Sequence, residues 1–201
     1  LELEPAANIY FNRSITYYNQ GKVDQALADC SQAIELEPGN AVYYYNRAGC
    51  YRDKKQWPAA LADYNRAIEI NPRFSAAYNN RGLIYKGQGQ FDKAIDDFTQ
   101  AIWSDPGGSG YISRSVLYQQ RGQFDLALAD AAKAVELNPL DYRSYQRRAA
   151  VYKVKGETER ALADYSRAIE LAPGQARLYN SRGLVWQTRQ QYAAARADYE
   201  Q

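Results

Sequence analysis

The 201-residue chain has no histidine and no methionine, and only two cysteines, Cys30 and Cys50. Without histidine it lacks the commonest general base, proton shuttle and zinc ligand. Two thiols at this spacing match neither a disulfide framework nor a metal-binding motif, so we expect inert, buried side chains. Also missing are any apolar run long enough to span a bilayer and a basic-then-apolar leader. GxSxG, Walker-type, HExxH and CxxC motifs are absent too. The sequence therefore reads as soluble, without membrane insertion, cofactor or metal, and as no enzyme; it fixes no compartment, although the cytoplasm is the favoured setting. Twenty-five Lys and Arg against 23 Asp and Glu leave a net charge of +2, too balanced for a general nucleic-acid or membrane-surface binder. Any electrostatic preference must be local.

What the chain does have is periodicity. Prolines fall at 5, 38, 72, 106, 139 and 173, at intervals of 33 or 34. Aligned on them, one column reads Tyr10, Tyr44, Tyr78, Tyr111, Tyr145, Tyr179 and a second reads Tyr17, Tyr51, Tyr85, Tyr118, Tyr152, Trp186. Small residues recur as Ala26, Ala60, Ala94, Ala127, Ala161, Ala195 and as Ala33, Ala67, Ala101, Ala134, Ala168. In the stretch Tyr78 to Pro106, Tyr78, Gly82 and Tyr85 share one helical face, as do Ala94, Phe98 and Ala101 on a second helix. Gly87 and Gly89 break the chain between them, and Asp105–Pro106 ends the second helix. Pro58 is off this register but suits the first turn of a helix.

The aromatic, glycine, tyrosine, alanine, phenylalanine and proline positions of that unit, Tyr78, Gly82, Tyr85, Ala94, Phe98 and Pro106, resemble the tetratricopeptide repeat at its 34-residue period. The resemblance covers nearly the whole chain. It implies an all-α, right-handed superhelical solenoid of antiparallel helix-turn-helix repeats forming one array. Complete repeats are expected at 7–38, 41–72, 75–106, 108–139 and 142–173, with a partial sixth at 176–201. Residues 1–5, LELEP, match the repeat ends IELEP, IEINP, VELNP and IELAP. With no initiating methionine, the chain is expected to be a fragment that begins inside a longer array. The glycine-rich junction PGGSG, Pro106 to Gly110, predicts a late-starting, frayed helix, with a hinge as the other reading.

One departure from the family pattern is systematic. Arg13, Arg47, Arg81, Arg114, Arg148 and Arg182 stand where leucine is common, each followed 16 residues later by an aspartate: Asp29, Asp63, Asp97, Asp130, Asp164 and Asp198. The turn lies midway, so the two columns should face each other as a structural ion-pair ladder. A binding stripe is the competing reading, disfavoured because the charges repeat in step with the packing columns.

The resemblance further implies a concave groove lined by the first helices, at the equivalents of Ala76, Asn79, Asn80, Leu83, Lys86 and Gly87. The Asn80 column begins Asn12, Asn46, Asn80. An amide there would hold the backbone of an extended peptide, since it donates and accepts at once. Further along the groove turns basic through Arg143, Arg147, Lys153 and Arg177, with no acid in those columns. The carboxylate clamp of chaperone-binding members is matched at only two of five positions. The expected function is protein–protein interaction, an adaptor holding an extended, acidic peptide. A scaffold acting by self-association of array ends is the alternative, and an RNA-binding helical repeat, which the small net charge disfavours, is a third.

Overall fold

The computed structural model describes residues 6–107 and 109–201; the LELEP stretch and Gly108 lie outside them. Among the described residues there are twelve α-helices and no strand. They fall in two compact units, Leu1–Asp105 and Pro106–Gln201. The first holds α1 (Ala7–Asn19), α2 (Val23–Leu36), α3 (Ala41–Asp53), α4 (Trp57–Ile70), α5 (Ser75–Gly87) and α6 (Phe91–Ser104). The second holds α7 (Gly110–Gln120), α8 (Phe124–Leu137), α9 (Tyr142–Val154), α10 (Thr158–Leu171), α11 (Ala176–Thr188) and α12 (Tyr192–Tyr199). Within each unit, successive helices pair as hairpins, and the second helix of one hairpin packs on the first helix of the next.

The hairpin turn is set by the end of the first helix. Two residues past each helix the backbone turns left-handed, at Gly21, Lys55, Gly89, Gly122, Gly156 and Gln190, with φ between 58° and 76°. The next amide then reaches back to the carbonyl of the aromatic column: Lys22 to Tyr17, Gln90 to Tyr85 and Gln191 to Trp186, at 2.9, 2.9 and 3.1 Å. A second bond, such as Gly21 N–H to Tyr18 O at 2.9 Å, completes the Schellman pattern that satisfies the last carbonyls of a helix. Gly87, expected in the turn, instead closes α5, and Gly89 alone takes the left-handed position there. The second helices end at Glu37, Asn71, Asp105, Asn138 and Ala172, each followed by proline. Pro58 sits in the first turn of α4, where its missing amide has no intrahelical partner to lose. After the glycine-rich junction, α7 starts late and runs 11 residues against 13 for the other first helices.

Both alanine columns are almost wholly buried, letting helices approach closely. At Gly82 the approach is closer still, because an added Cβ would meet the Phe98 ring at 2.8 Å.

The polar layer between paired helices is a row of guanidinium–carboxylate forks. Arg13, Arg47, Arg81, Arg114, Arg148 and Arg182 each donate two bonds, at 2.6–2.9 Å, to Asp29, Asp63, Asp97, Asp130, Asp164 and Asp198. All six aspartates are buried. The first five guanidiniums also lie between two tyrosines of their own helix, three residues before and four after, at 5.4–5.9 Å from the ring centroids. Arg182 keeps the first of these, Tyr179. The tyrosine columns and the arginine column are thus one structural feature. Three arginines bridge to the preceding hairpin as well, Arg47 to Ser31, Arg81 to Asn65 and Arg182 to Ser166, at 3.1, 2.6 and 2.9 Å.

Two expectations follow for stability. A non-glycine residue held left-handed costs about 1–2 kcal/mol, against ~0.5–1 kcal/mol for the extra chain entropy of glycine. Lys55→Gly and Gln190→Gly should therefore each raise the thermal midpoint by about 1–4 °C, measured by circular dichroism. Asp97→Ala strands Arg81, whose side chain is only 18% exposed, whereas Asp29→Ala strands Arg13, which is 53% exposed and can rehydrate. Breaking a buried pair costs about 3–5 kcal/mol, or roughly 6–20 °C in a chain of this size. That shift is expected for Asp97→Ala and a clearly smaller one for Asp29→Ala; equal shifts would count against burial as the source of the effect.

Candidate peptide-binding surface

The first helices carry the surface residues that architecture leaves over. In the first unit, α1, α3 and α5 present Asn12, Asn46 and Asn80 at one register position. Asn12 is exposed. Asn46 is half-buried and donates through Nδ2 to the Val42 carbonyl at 2.8 Å, and Asn80 donates through Nδ2 to the Tyr45 hydroxyl at 2.9 Å. Each amide thereby has a fixed orientation with its oxygen still able to accept. Asn79 and Lys86, also on α5, are half-buried.

Asn46 and Asn80 border the same cavity of about 270 Å³. Its walls include Tyr18 of α1, Cys30 of α2, Tyr45, Gly49, Cys50 and Arg52 of α3, and Tyr64 of α4. Arg52 is engaged with Asp53 at 2.9 Å, and Tyr18 donates to the same carboxylate. Tyr64 is fully buried, and its hydroxyl has no partner among the described residues. Burial pushes the Tyr64 phenol up, so it stays protonated at neutral pH. Cys30 and Cys50 are free and, as expected, buried. The neighbouring Cys50 thiol holds Cys30 below the ordinary thiol value, and Cys30, together with burial, raises Cys50.

In the second unit the basic groove of the sequence reading must be corrected. Arg147 does not reach out as a free cation. Its Nε donates to Ser115 Oγ at 2.9 Å and its Nη2 to the Ser115 carbonyl at 3.3 Å and to Gln119 Oε1, so α9 clips onto α7. Burial pushes its pKa down to about 10, which still leaves it charged at neutral pH. Arg143 is exposed but forms a fork with Asp141, the residue capping the start of α9, at 2.9 and 3.1 Å. That aspartate lies outside the groove columns, so counting acids in those columns missed it. Lys153 and Arg177 are exposed and have no carboxylate partner among the described residues.

The cavity was not legible as a site. Its one sequence signal is Gly49, which stands in a column otherwise filled by Ile15, Leu83, Val116, Ala150 and Leu184. Among the described residues no group of three or more His, Cys, Asp or Glu could hold a metal ion, and no helix is long and apolar enough to cross a membrane.

Comparison with known families and structures fits this architecture. The family described as "Tetratricopeptide repeat" matches residues 7–40 and 75–107, a second of the same description matches 113–176, and one described as "TPR repeat" matches 50–89. No curated relative matches the chain. Among solved structures, a tetratricopeptide repeat protein from Parabacteroides merdae is 22% identical, with 96% of this chain and 77% of that one covered and a TM-score of 0.77. PilF of Pseudomonas aeruginosa is 17% identical, with 96% and 88% covered and a TM-score of 0.83. YrrB, described as a TPR protein with an unusual peptide-binding site, is 24% identical, with 84% and 88% covered and a TM-score of 0.63. At these identities the likeness speaks for the fold. With family matches spread along the chain and helical hairpins throughout, the chain belongs to the tetratricopeptide-repeat family.

Proposed function

We propose that the chain is an adaptor for extended peptides, in which α1, α3 and α5 of the first unit hold a peptide backbone and α9 and α11 of the second offer cations to acidic side chains. Tetratricopeptide repeats generally mediate protein–protein interaction, and one similar structure, YrrB, is described as having a peptide-binding site.

The observation that carries the backbone-holding part is the pair Asn46 and Asn80. Both are oriented by a bond from Nδ2, and both border one cavity. An amide locked in this way loses little further freedom when a peptide N–H bonds to its oxygen, so more of that bond is realised as affinity. Of the four cations in those groove columns, the acidic preference now rests on Lys153 and Arg177, which are exposed and have no carboxylate partner among the described residues. Arg143 already has an acid on its guanidinium, and Arg147 is spent on Ser115 and Gln119.

The test is selection of unstructured peptides from a displayed library on the purified chain, followed by titration of the winners. The selected set should be enriched in Asp and Glu. Lys153→Glu combined with Arg177→Glu should weaken binding about tenfold or more, equivalent to ~1.4 kcal/mol, and leave the thermal midpoint unchanged. Arg147→Glu should instead lower the midpoint, since it places a carboxylate against the Ser115 carbonyl. Winners without acidic bias, or unchanged affinity in the Lys153, Arg177 double variant, would remove the acidic preference; winners indifferent to Asn46→Ala and Asn80→Ala would remove the backbone-holding role.

A further inference from the structure

The cavity beside Asn46 is bordered by Gly49, which has no side chain to occupy it. At the equivalent positions Ile15, Leu83 and Leu184 project exposed aliphatic groups, but a Cβ placed on Gly49 would meet nothing within 4 Å. Glycine in the middle of α3 is a poor helix former, less favourable than alanine by about 1 kcal/mol. No tight approach or left-handed backbone requires it here. The space it borders is about 270 Å³, short of the ~300–1,000 Å³ typical of pockets for whole small-molecule ligands and suited to a single side chain.

The chemistry of the walls narrows the occupant. Three tyrosine rings, Tyr18, Tyr45 and Tyr64, and the two thiols Cys30 and Cys50 border the space. Rings and sulfur both favour an aromatic body. Tyr64 borders the space, its hydroxyl is buried with no partner among the described residues, and a buried O–H without an acceptor carries a cost that an incoming acceptor would relieve. Phenyl and indole rings have no acceptor to offer it, whereas a phenol hydroxyl does. A carboxylate would have to shed its water next to an arginine, Arg52, that Asp53 already holds.

We infer that this cavity is a side-chain pocket for a phenol, the tyrosine of a bound peptide, with Gly49 as its opening and Tyr64 as its hydrogen-bond donor. The phenol's source, a peptide lying along α1, α3 and α5, rests on the peptide-binding reading above; the pocket itself does not.

The two can be separated with single-residue probes. N-acetyltyrosinamide titrated into the isotope-labelled chain should shift the Gly49 and Cys50 amide resonances saturably. N-acetylphenylalaninamide should bind about tenfold more weakly, the worth of one hydrogen bond to a buried donor. Gly49→Leu, which projects an isobutyl group from the border of this space, should abolish the shifts without lowering the thermal midpoint. Tyr64→Phe, which removes the unpaired hydroxyl, should stay folded and bring the two probes to within about twofold of each other. Absence of saturable shifts, equal affinity of the two probes for the unaltered chain, or shifts that persist in Gly49→Leu would each overturn the pocket. Selected peptides that bind Gly49→Leu as tightly as the unaltered chain would overturn it too and leave the peptide-binding reading standing. Probe binding without any peptide binding would instead remove the peptide as the source of the phenol.

Discussion

The arginine fork is the constraint on which the rest of each hairpin depends. A guanidinium presents its donors in one plane, and here that plane is engaged by a buried aspartate 16 residues later and flanked by tyrosines of its own helix. The fork has one productive alignment, so it sets how far the second helix slides along the first. A leucine at the same place would gain as much from contact one turn up or down. Removing an aspartate and an arginine from water is costly, and at Asp97 burial outweighs Arg81 and raises the carboxyl. The pair's contribution is therefore to registry more than to net stability. The alanine columns can be so small because the register they need is fixed elsewhere.

The same reasoning explains why the fold was so readable. Arg81 and Asp97 are related by a spacing that the chain repeats six times, and periodic spacing survives in sequence even when the contact is between different helices. The turn at Gly89 was readable for a local reason: glycine marks a backbone conformation that other residues adopt only under strain, and Gly21, Gly122 and Gly156 repeat it. Lys55 and Gln190 adopt it without that mark, because the Schellman bonds on either side hold them there.

The candidate site was less legible, and Arg147 shows why. Its column position on the outward face of α9 argued for a free cation in the groove. Its partners, Ser115 and Gln119, lie 32 and 28 residues earlier on α7, and that pairing occurs at one step of the chain only. A contact made once leaves no periodic trace. Arg143 failed more simply, since Asp141 two residues before it is a helix cap whose carboxylate also has room for a guanidinium.

In a chain built by repetition, a column that keeps its residue reports the shared scaffold, and a departure reports either a compensated exception or a use. Lys55 and Ala132 are exceptions: the first is a strained turn residue, and the second stands where Ser31, Asn65 and Ser166 supply an acceptor to the next arginine. Neither borders the cavity. Gly49 differs in kind, because it gives up helix stability beside a cavity that Tyr64 also borders, and the Tyr64 hydroxyl is buried with no partner among the described residues. Two unfavourable features meeting in one place are hard to explain by packing, since the leucine found one repeat later would strengthen the helix. An occupant that fills the cavity and accepts from Tyr64 relieves both at once.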